Sequence, residues 1–394
     1  MRSADVVIIG AGVHGASAAY HLAKAGKEVL LLEKTHPGSG ASGVSGGIIR
    51  CHYSNESMVR LAHRAAERWP SLADELGGPT DYVHNGLIML VAPEDADTLR
   101  RVVEMQQRLG VRTRVIELSE VERHLPGLNP DGLALACIEE SAGYADPYAA
   151  TQAFIGAARR LGAQVELETP VTGFEVAGGR VRAVETPRGT IRCDYVINAA
   201  GAWARRVGEL VGLDLPVHPG IVQMAAFRPG FAGYTGTSPT WVDLTTLTYC
   251  RPDRGGLALC GGGTGENEAL VSEEPDPDHF NPHPPLLFEA EMAENLGRRF
   301  KWLAGIPKVR SWAGVDGISP DFHLIFGEMP GLKGFINVIG GSGNSFKLSP
   351  ATGEAVSELI VHGECSHLDM QAFSIDRFEA GRPFRGKYRM HIVG

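Results

Sequence analysis

The first apolar block is short, unbroken and β-branched: Val6-Val7-Ile8-Ile9. A run of that length without alternation predicts a parallel strand buried on both faces. Val13 to Ala25 then predicts a helix, stopped by Gly26 at its C′ position, and Glu28 to Leu32 predicts a second buried strand. Further apolar spacing predicts a helix from about Glu56 to Glu75 carrying Trp69, a strand over 86–91, a helix over 93–109 and a short helix toward Leu125. Asp146 and Pro147 suit the N-cap and N1 positions of a helix that reaches Arg160 and stops at Gly162. Strands follow at 165–168 and 180–186, with Gly178-Gly179 as a hairpin turn, and over Tyr195–Trp203, a buried strand ending on small residues. Strand and turn signals dominate from Pro216 to Ile306. The stretch from Thr246 to Pro252 alternates, which puts Tyr249 and Arg251 on one face, and Leu257–Cys260 runs into Gly261-Gly262-Gly263. The acidic, proline-rich stretch 272–285 predicts an exposed loop. A strand over Phe335–Ile339, a glycine turn at 340–345 and a helix from Pro350 to about His362 follow. The tail, with Arg382, Arg385, Lys387 and Arg389, reads as a solvated basic segment.

Chemistry enters at the junctions. Gly10-Ala11-Gly12-Val13-His14-Gly15 joins the first strand to the first helix with no gap. Gly10 suits the tight turn, Gly12 the approach of backbone to a pyrophosphate, and Gly15 close packing of helix on strand. Glu33 ends the next strand near the offset at which an acid accepts hydrogen bonds from a ribose. Strand, glycines, helix, strand and acid in order predict a dinucleotide site. The glycine- and serine-rich stretch Gly38 to Gly47 predicts a loop wrapping a second part of that ligand, without helix or strand. Small residues at Ala199 to Ala202 let a ligand cross a strand end, and Gly340 to Ser345 leads into a helix N-terminus suited to a polar ligand edge.

Composition narrows the class. A chain of 394 residues is long enough for two domains. A net charge of −9 with no basic stripe argues against nucleic acid or an anionic membrane as partner, and no apolar run is long enough to span a bilayer. The first apolar run leads straight into the glycine turn, so no signal peptide is expected. The six cysteines lack C-x-x-C spacing. They predict reduced thiols in a cytoplasmic protein, with neither a metal site nor a disulfide framework.

Several of these motifs stand in the order of a known family: the N-terminal fingerprint, Ala41-Ser42-Gly43 with Ser45-Gly46-Gly47, Ile48-Ile49-Arg50, Asn198 to Trp203, Ser319-Pro320-Asp321, and Gly341-Ser342-Gly343 to Lys347-Leu348-Ser349-Pro350. Together they resemble the D-amino-acid oxidase superfamily of flavoproteins, in its sarcosine oxidase, glycine oxidase and proline dehydrogenase branch. The resemblance implies FAD and an α/β fold: a Rossmann-like FAD-binding domain interleaved with an α+β substrate domain on a mainly antiparallel sheet. The expected division is 1–82, 143–216 and 310–394 for the FAD domain, and 83–142 and 217–309 for the substrate domain. The implied reaction is oxidation of the C–N bond of a small amine or amino acid. A hydroxy-acid or polyol dehydrogenase, or a flavoprotein subunit of a larger complex, are the alternatives, and an oligomer is compatible with each.

The resemblance places Arg50 at a substrate carboxylate, Lys347 beside flavin and carboxylate, and Tyr249 in the active site. Arg251, on the same face as Tyr249, and His323, after Pro320-Asp321, complete the candidate catalytic set. Cofactor contacts are expected from Gly10, Gly12, Gly15, Glu33, Lys34, Ser42, Gly43, Ser45, Gly46, Val171, Ala200, Gly201, Gly341, Gly343, Asn344 and Lys347. The other histidines, among them His14, His36, His52 and His63, are scattered and read as surface or hydrogen-bonded groups. The family's flavin-bonding cysteine falls near Gly314, so the FAD is expected to be non-covalent. Its oxygen-activating lysine falls near Ala258, a histidine in the Gly261–Gly263 run, and a tyrosine near Asp316.

Overall fold

The computed structural model describes residues 2–253, 255–262 and 274–388. Gly263, Arg389 and the first two residues of the 272–285 stretch lie outside these residues. Two large sheets carry the chain. The first has ten strands, and its central path places Leu332–Ile339, Tyr195–Asn198, Val6–Ile9, Val29–Leu32 and Gln164–Glu166 side by side, all parallel. Val6–Ile9 sits in the middle with every residue buried, as its unbroken apolar run requires. The second sheet has eight strands in the order 308–318, 218–227, 258–262, 248–252, 240–243, 87–91, 135–139 and 113–116. Each neighbouring pair is antiparallel except 240–243 with 87–91. This is the mixed α/β architecture that the sequence predicts.

Helix Val13–Lys24 packs between helices Pro147–Arg160 and Ser349–His362. The crossing with the last helix is close: a Cβ on Gly353 would stand 2.2 Å from Ser17 Oγ, and Ser17 Oγ donates to Ser349 O at 2.7 Å. Asp146 caps helix Pro147–Arg160, its carboxylate accepting from Ala149 N at 2.8 Å.

Four local expectations change. The helix expected over 56–75 is two, Glu56–Ala66 and Trp69–Leu76, because Pro70 lacks the N–H that would continue the first. The Gly38–Gly47 stretch holds one helical turn, Ala41–Val44. Lys308–Ile318, unmarked in the sequence, is a strand paired along its length with His218–Phe227. The tail is not simply solvated. Phe384 stacks on His323 with ring centroids 4.6 Å apart, and Tyr388 is buried, its OH 2.8 Å from His52 Nε2. Arg382, Arg385 and Lys387 stay exposed while the aromatics between them anchor the segment.

Candidate active site

The parallel strands end at a cavity of about 840 Å³, closed from the other side by the second sheet. Ligands of open α/β sheets bind at such carboxyl ends. Gly10, at φ +100°, makes the turn out of the first strand, and a Cβ there would stand 2.6 Å from Ala199 O. Gly15 is not in the lining. Its ideal Cβ would be 2.0 Å from Gly10 O, so glycine there seats the helix directly on the turn. Gly43 is likewise outside the lining and packs against Gly38 O. All the other expected cofactor contacts line the cavity: Gly10, Gly12, Glu33, Lys34, Ser42, Ser45, Gly46, Val171, Ala200, Gly201, Gly341, Gly343, Asn344 and Lys347.

Glu33 is buried at the strand end. Its Oε2 accepts from Ala11 N and its Oε1 from Thr35 N, each at 2.8 Å. Thr35 Oγ1 also donates to Oε1 at 3.2 Å, so of a carboxylate's about four acceptor sites about one remains for a hydroxyl ligand. Ser42 Oγ accepts from Val13 N at 3.0 Å, tying the glycine-rich loop to the first helix. Lys34 lies 3.9 Å over the Trp203 ring and pairs with Asp278, which also accepts from Arg206 at 2.7 Å and Trp203 Nε1 at 3.0 Å. The exposed 274–285 segment is thereby pinned across the edge of the cavity.

At the other end, two cations from distant segments meet. Arg50 stacks 4.4 Å over Tyr53, donating from Nη2 to Asn344 Oδ1 at 3.2 Å and from Nη1 to His52 O. Lys347 Nζ donates to Tyr53 OH at 2.9 Å and to Asn344 O at 2.6 Å. Burial, and next the Arg50 guanidinium, push the Lys347 ammonium well below its usual range, and burial pushes Tyr53 up to about 12. Behind Arg50, the buried Glu139 carboxylate accepts from Cys51 N at 2.8 and 3.0 Å, which fixes the backbone that carries the arginine. Tyr249 lines the cavity with its OH 2.8 Å from Met224 Sδ. Burial raises its phenol above the ordinary value.

Two members of the candidate catalytic set lie elsewhere. Arg251 is buried outside the lining, 4.4 Å over Tyr144, bonded to Gly46 O and to Pro252 O. Alternation places it on the Tyr249 face, but its length carries the guanidinium to the base of the loop. His323 is buried between Phe384 and the Asp321–Arg377 ion pair, with Nδ1 on Asp321 O. Ala258 is also outside the lining, in the apolar core of the second sheet.

Two groups in the lining, Asp316 and His14, were not among the expected site residues. Asp316 is buried, accepts from Gly317 N at 2.8 Å and from Gly343 N, and burial raises its carboxyl above its ordinary value. A lone acid between glycines, Gly314-Val315-Asp316-Gly317, was the available signal. His14, inside the fingerprint, lines the cavity with Nδ1 2.8 Å from Thr352 Oγ1 and no partner on Nε2 among the described residues. Gly314 leaves no room for a side chain, since its Cβ would lie 2.3 Å from Val44 Cγ2.

A family model described as "DAO: FAD dependent oxidoreductase" matches residues 5–359. Mitochondrial dimethylglycine dehydrogenase of Rattus norvegicus is 28% identical, over 92% of this chain and 43% of that protein. The chain thus spans less than half the length of that relative. Sarcosine oxidase subunit beta of Rhodobacter capsulatus is 28% identical over 96% of this chain and 89% of that protein. Among solved structures, L-proline dehydrogenase from P. horikoshii superimposes with a TM-score of 0.88 at 29% identity, covering 97% of this chain and all of that one.

Proposed function

The chain belongs to the DAO family of FAD-dependent oxidoreductases, and from that premise we propose that it oxidises the C–N bond of an amino acid or secondary amine, giving an imine. FAD, when bound, supplies the two-electron chemistry by accepting a hydride equivalent from the carbon beside nitrogen. The residues present fit that group. Gly10 and Gly12 leave backbone bare at a helix N-terminus for the pyrophosphate, and Glu33 keeps acceptor capacity for a ribose hydroxyl. The lining holds His14 as its one histidine and no cysteine among the described residues, which supports non-covalent binding.

The observation that carries the reading is the meeting of Arg50 and Lys347 around Asn344 and Tyr53 at the cavity wall. Two buried cations side by side repel each other, and an anion between them offsets both. Arginine's planar fork suits a carboxylate, and Lys347 adds a point charge or a donor to a carbonyl. Met224, Val242, Leu244 and Leu247 give the second-sheet side of the cavity an apolar wall, which supports a substrate with an apolar body beside its carboxylate. Ala258 sits in the apolar core and offers no ammonium to stabilise developing superoxide charge, and we read the enzyme as a slow user of oxygen.

Anaerobic mixing of purified protein with N-methyl amino acids, cyclic imino acids and hydroxy acids tests the proposal. Bleaching of a yellow protein by amino or imino acids is expected, with FAD released by acid precipitation. Bleaching by hydroxy acids alone, or a colourless protein that binds NADH, would overturn it.

A further inference from the structure

Helix Ser349–His362 ends at Gly363, φ +82°, and the chain doubles back along its last turns. This brings Cys365 and His367 beside Glu358, away from the cavity lining. His367 Nδ1 lies 3.8 Å from Cys365 Sγ and 3.3 Å from Glu358 Oε2, and one ligand atom from each residue lies within 4.8 Å of the others. Tetrahedral zinc, with bonds of about 2.3 Å to sulfur and about 2.1 Å to nitrogen and oxygen, requires edges of about 3.6 Å and about 3.4 Å. The two edges that meet at His367 Nδ1 already stand close to those lengths.

A second observation concerns the imidazole. His367 Nε2 is 3.1 Å from Ala351 O, an acceptor only, so Nε2 carries the hydrogen. In the neutral ring, Nδ1 then presents its lone pair to the thiol and the carboxylate. A second ring nitrogen donating to a backbone carbonyl is the usual support of a metal-bound histidine. Glu358 is held in turn by Ser366 N at 2.8 Å. All three side chains are partly exposed, and His367 borders an open surface cavity of about 430 Å³.

We propose that Glu358, Cys365 and His367 bind one zinc-class divalent ion, clipping the segment after this helix to its last turns. A thiolate, an imidazole and a carboxylate select a borderline-soft ion over calcium or magnesium. Binding displaces the Cys365 thiol proton to solvent, and the two anionic ligands neutralise the ion. Cysteine spacing alone conceals the site, since the motif is Cys-x-His plus a glutamate one helical segment earlier.

The test uses the FAD-loaded protein, stripped with a chelator and titrated with Zn²⁺ and with Co²⁺. One ion per chain is expected, with thiolate-to-cobalt absorption and tetrahedral cobalt bands beyond the flavin spectrum. Cys365→Ser should abolish the charge-transfer absorption, and His367→Gln and Glu358→Gln should each weaken Zn²⁺ binding at least tenfold, all with unchanged FAD content. Should a variant fail to fold, alkylation of Cys365 in the wild-type chain decides: Zn²⁺ should slow it at least tenfold. The other five cysteines are buried. No stoichiometric uptake at micromolar ion, uptake unchanged in Cys365→Ser, or unchanged alkylation would overturn the proposal and leave His367 as an ion-pair partner of Glu358.

Discussion

Truncating Arg50 separates anchoring of substrate from holding of cofactor. A guanidinium has five N–H donors. In Arg50 one goes to His52 O and one to Asn344 Oδ1, which leaves three for a carboxylate. The group is 8% exposed, so bonds made there are shielded from water. A hydrogen bond to a charged group contributes about 1.5–3 kcal/mol, so losing one costs about tenfold to more than a hundredfold in kcat/KM. Two parallel bonds would exceed that, but Lys347 keeps part of the attraction, and about a hundredfold is the expected loss for Arg50→Ala. Arg50→Lys keeps the charge without the fork and should recover only part of it. The assay is steady-state kcat/KM with an artificial electron acceptor, using the best amino-acid substrate and its analogue without the carboxylate. Activity on the analogue should change little, and FAD content should match wild type. A wild-type kcat/KM on the carboxylate substrate, in a variant that retains FAD, would refute the assignment of Arg50 to the carboxylate.

Three further outcomes follow from buried groups. Burial lowers His14 and His21 to about 4 and His52 to about 3, against 6.5 in the unfolded chain, so the unfolded state binds more protons below 6.5. Stability should therefore fall as pH drops from 6.5 toward 4, each histidine adding up to about 1.4 kcal/mol per pH unit; denaturant midpoints at pH 7.5 and 5 measure it, and equal midpoints would contradict it. Arg377→Met strips the partner from the buried carboxylate of Asp321, bonded at 2.7 and 2.8 Å, and should destabilise by about 3–5 kcal/mol in urea titration at neutral pH. A loss below 1 kcal/mol would mean that Asp321 finds other compensation. Gly15→Ala places a methyl 2.0 Å from Gly10 O, a backbone atom that cannot swing aside; overpacking of about 1–3 kcal/mol and reduced FAD retention are expected, read by thermal unfolding and by flavin absorbance after gel filtration.

Local pattern determined the elements whose signals lie within a few residues of one another. Val6 to Glu33 was legible because burial, turn and helix packing there depend on neighbours in the chain, and the structure places Glu33 Oε2 2.8 Å from Ala11 N across that unit. The capped helix at Asp146-Pro147 and the glycine hairpin at 178–179 were legible for the same reason. Lys308–Ile318 was not, because its polar and glycine positions acquire strand character only by pairing with His218–Phe227. Tyr249 and Arg251 share a strand face, yet only packing decided that one lines the cavity while the other reaches Gly46. The tail's charges dominate its sequence, whereas its fate depends on Phe384 and Tyr388 finding His323 and His52. Family order placed Arg50 and Lys347 in one site, but their meeting runs through Asn344, 294 positions beyond Arg50. Spacing along a chain carries no information about such contacts: they exist only once distant segments have packed together and excluded water from between them.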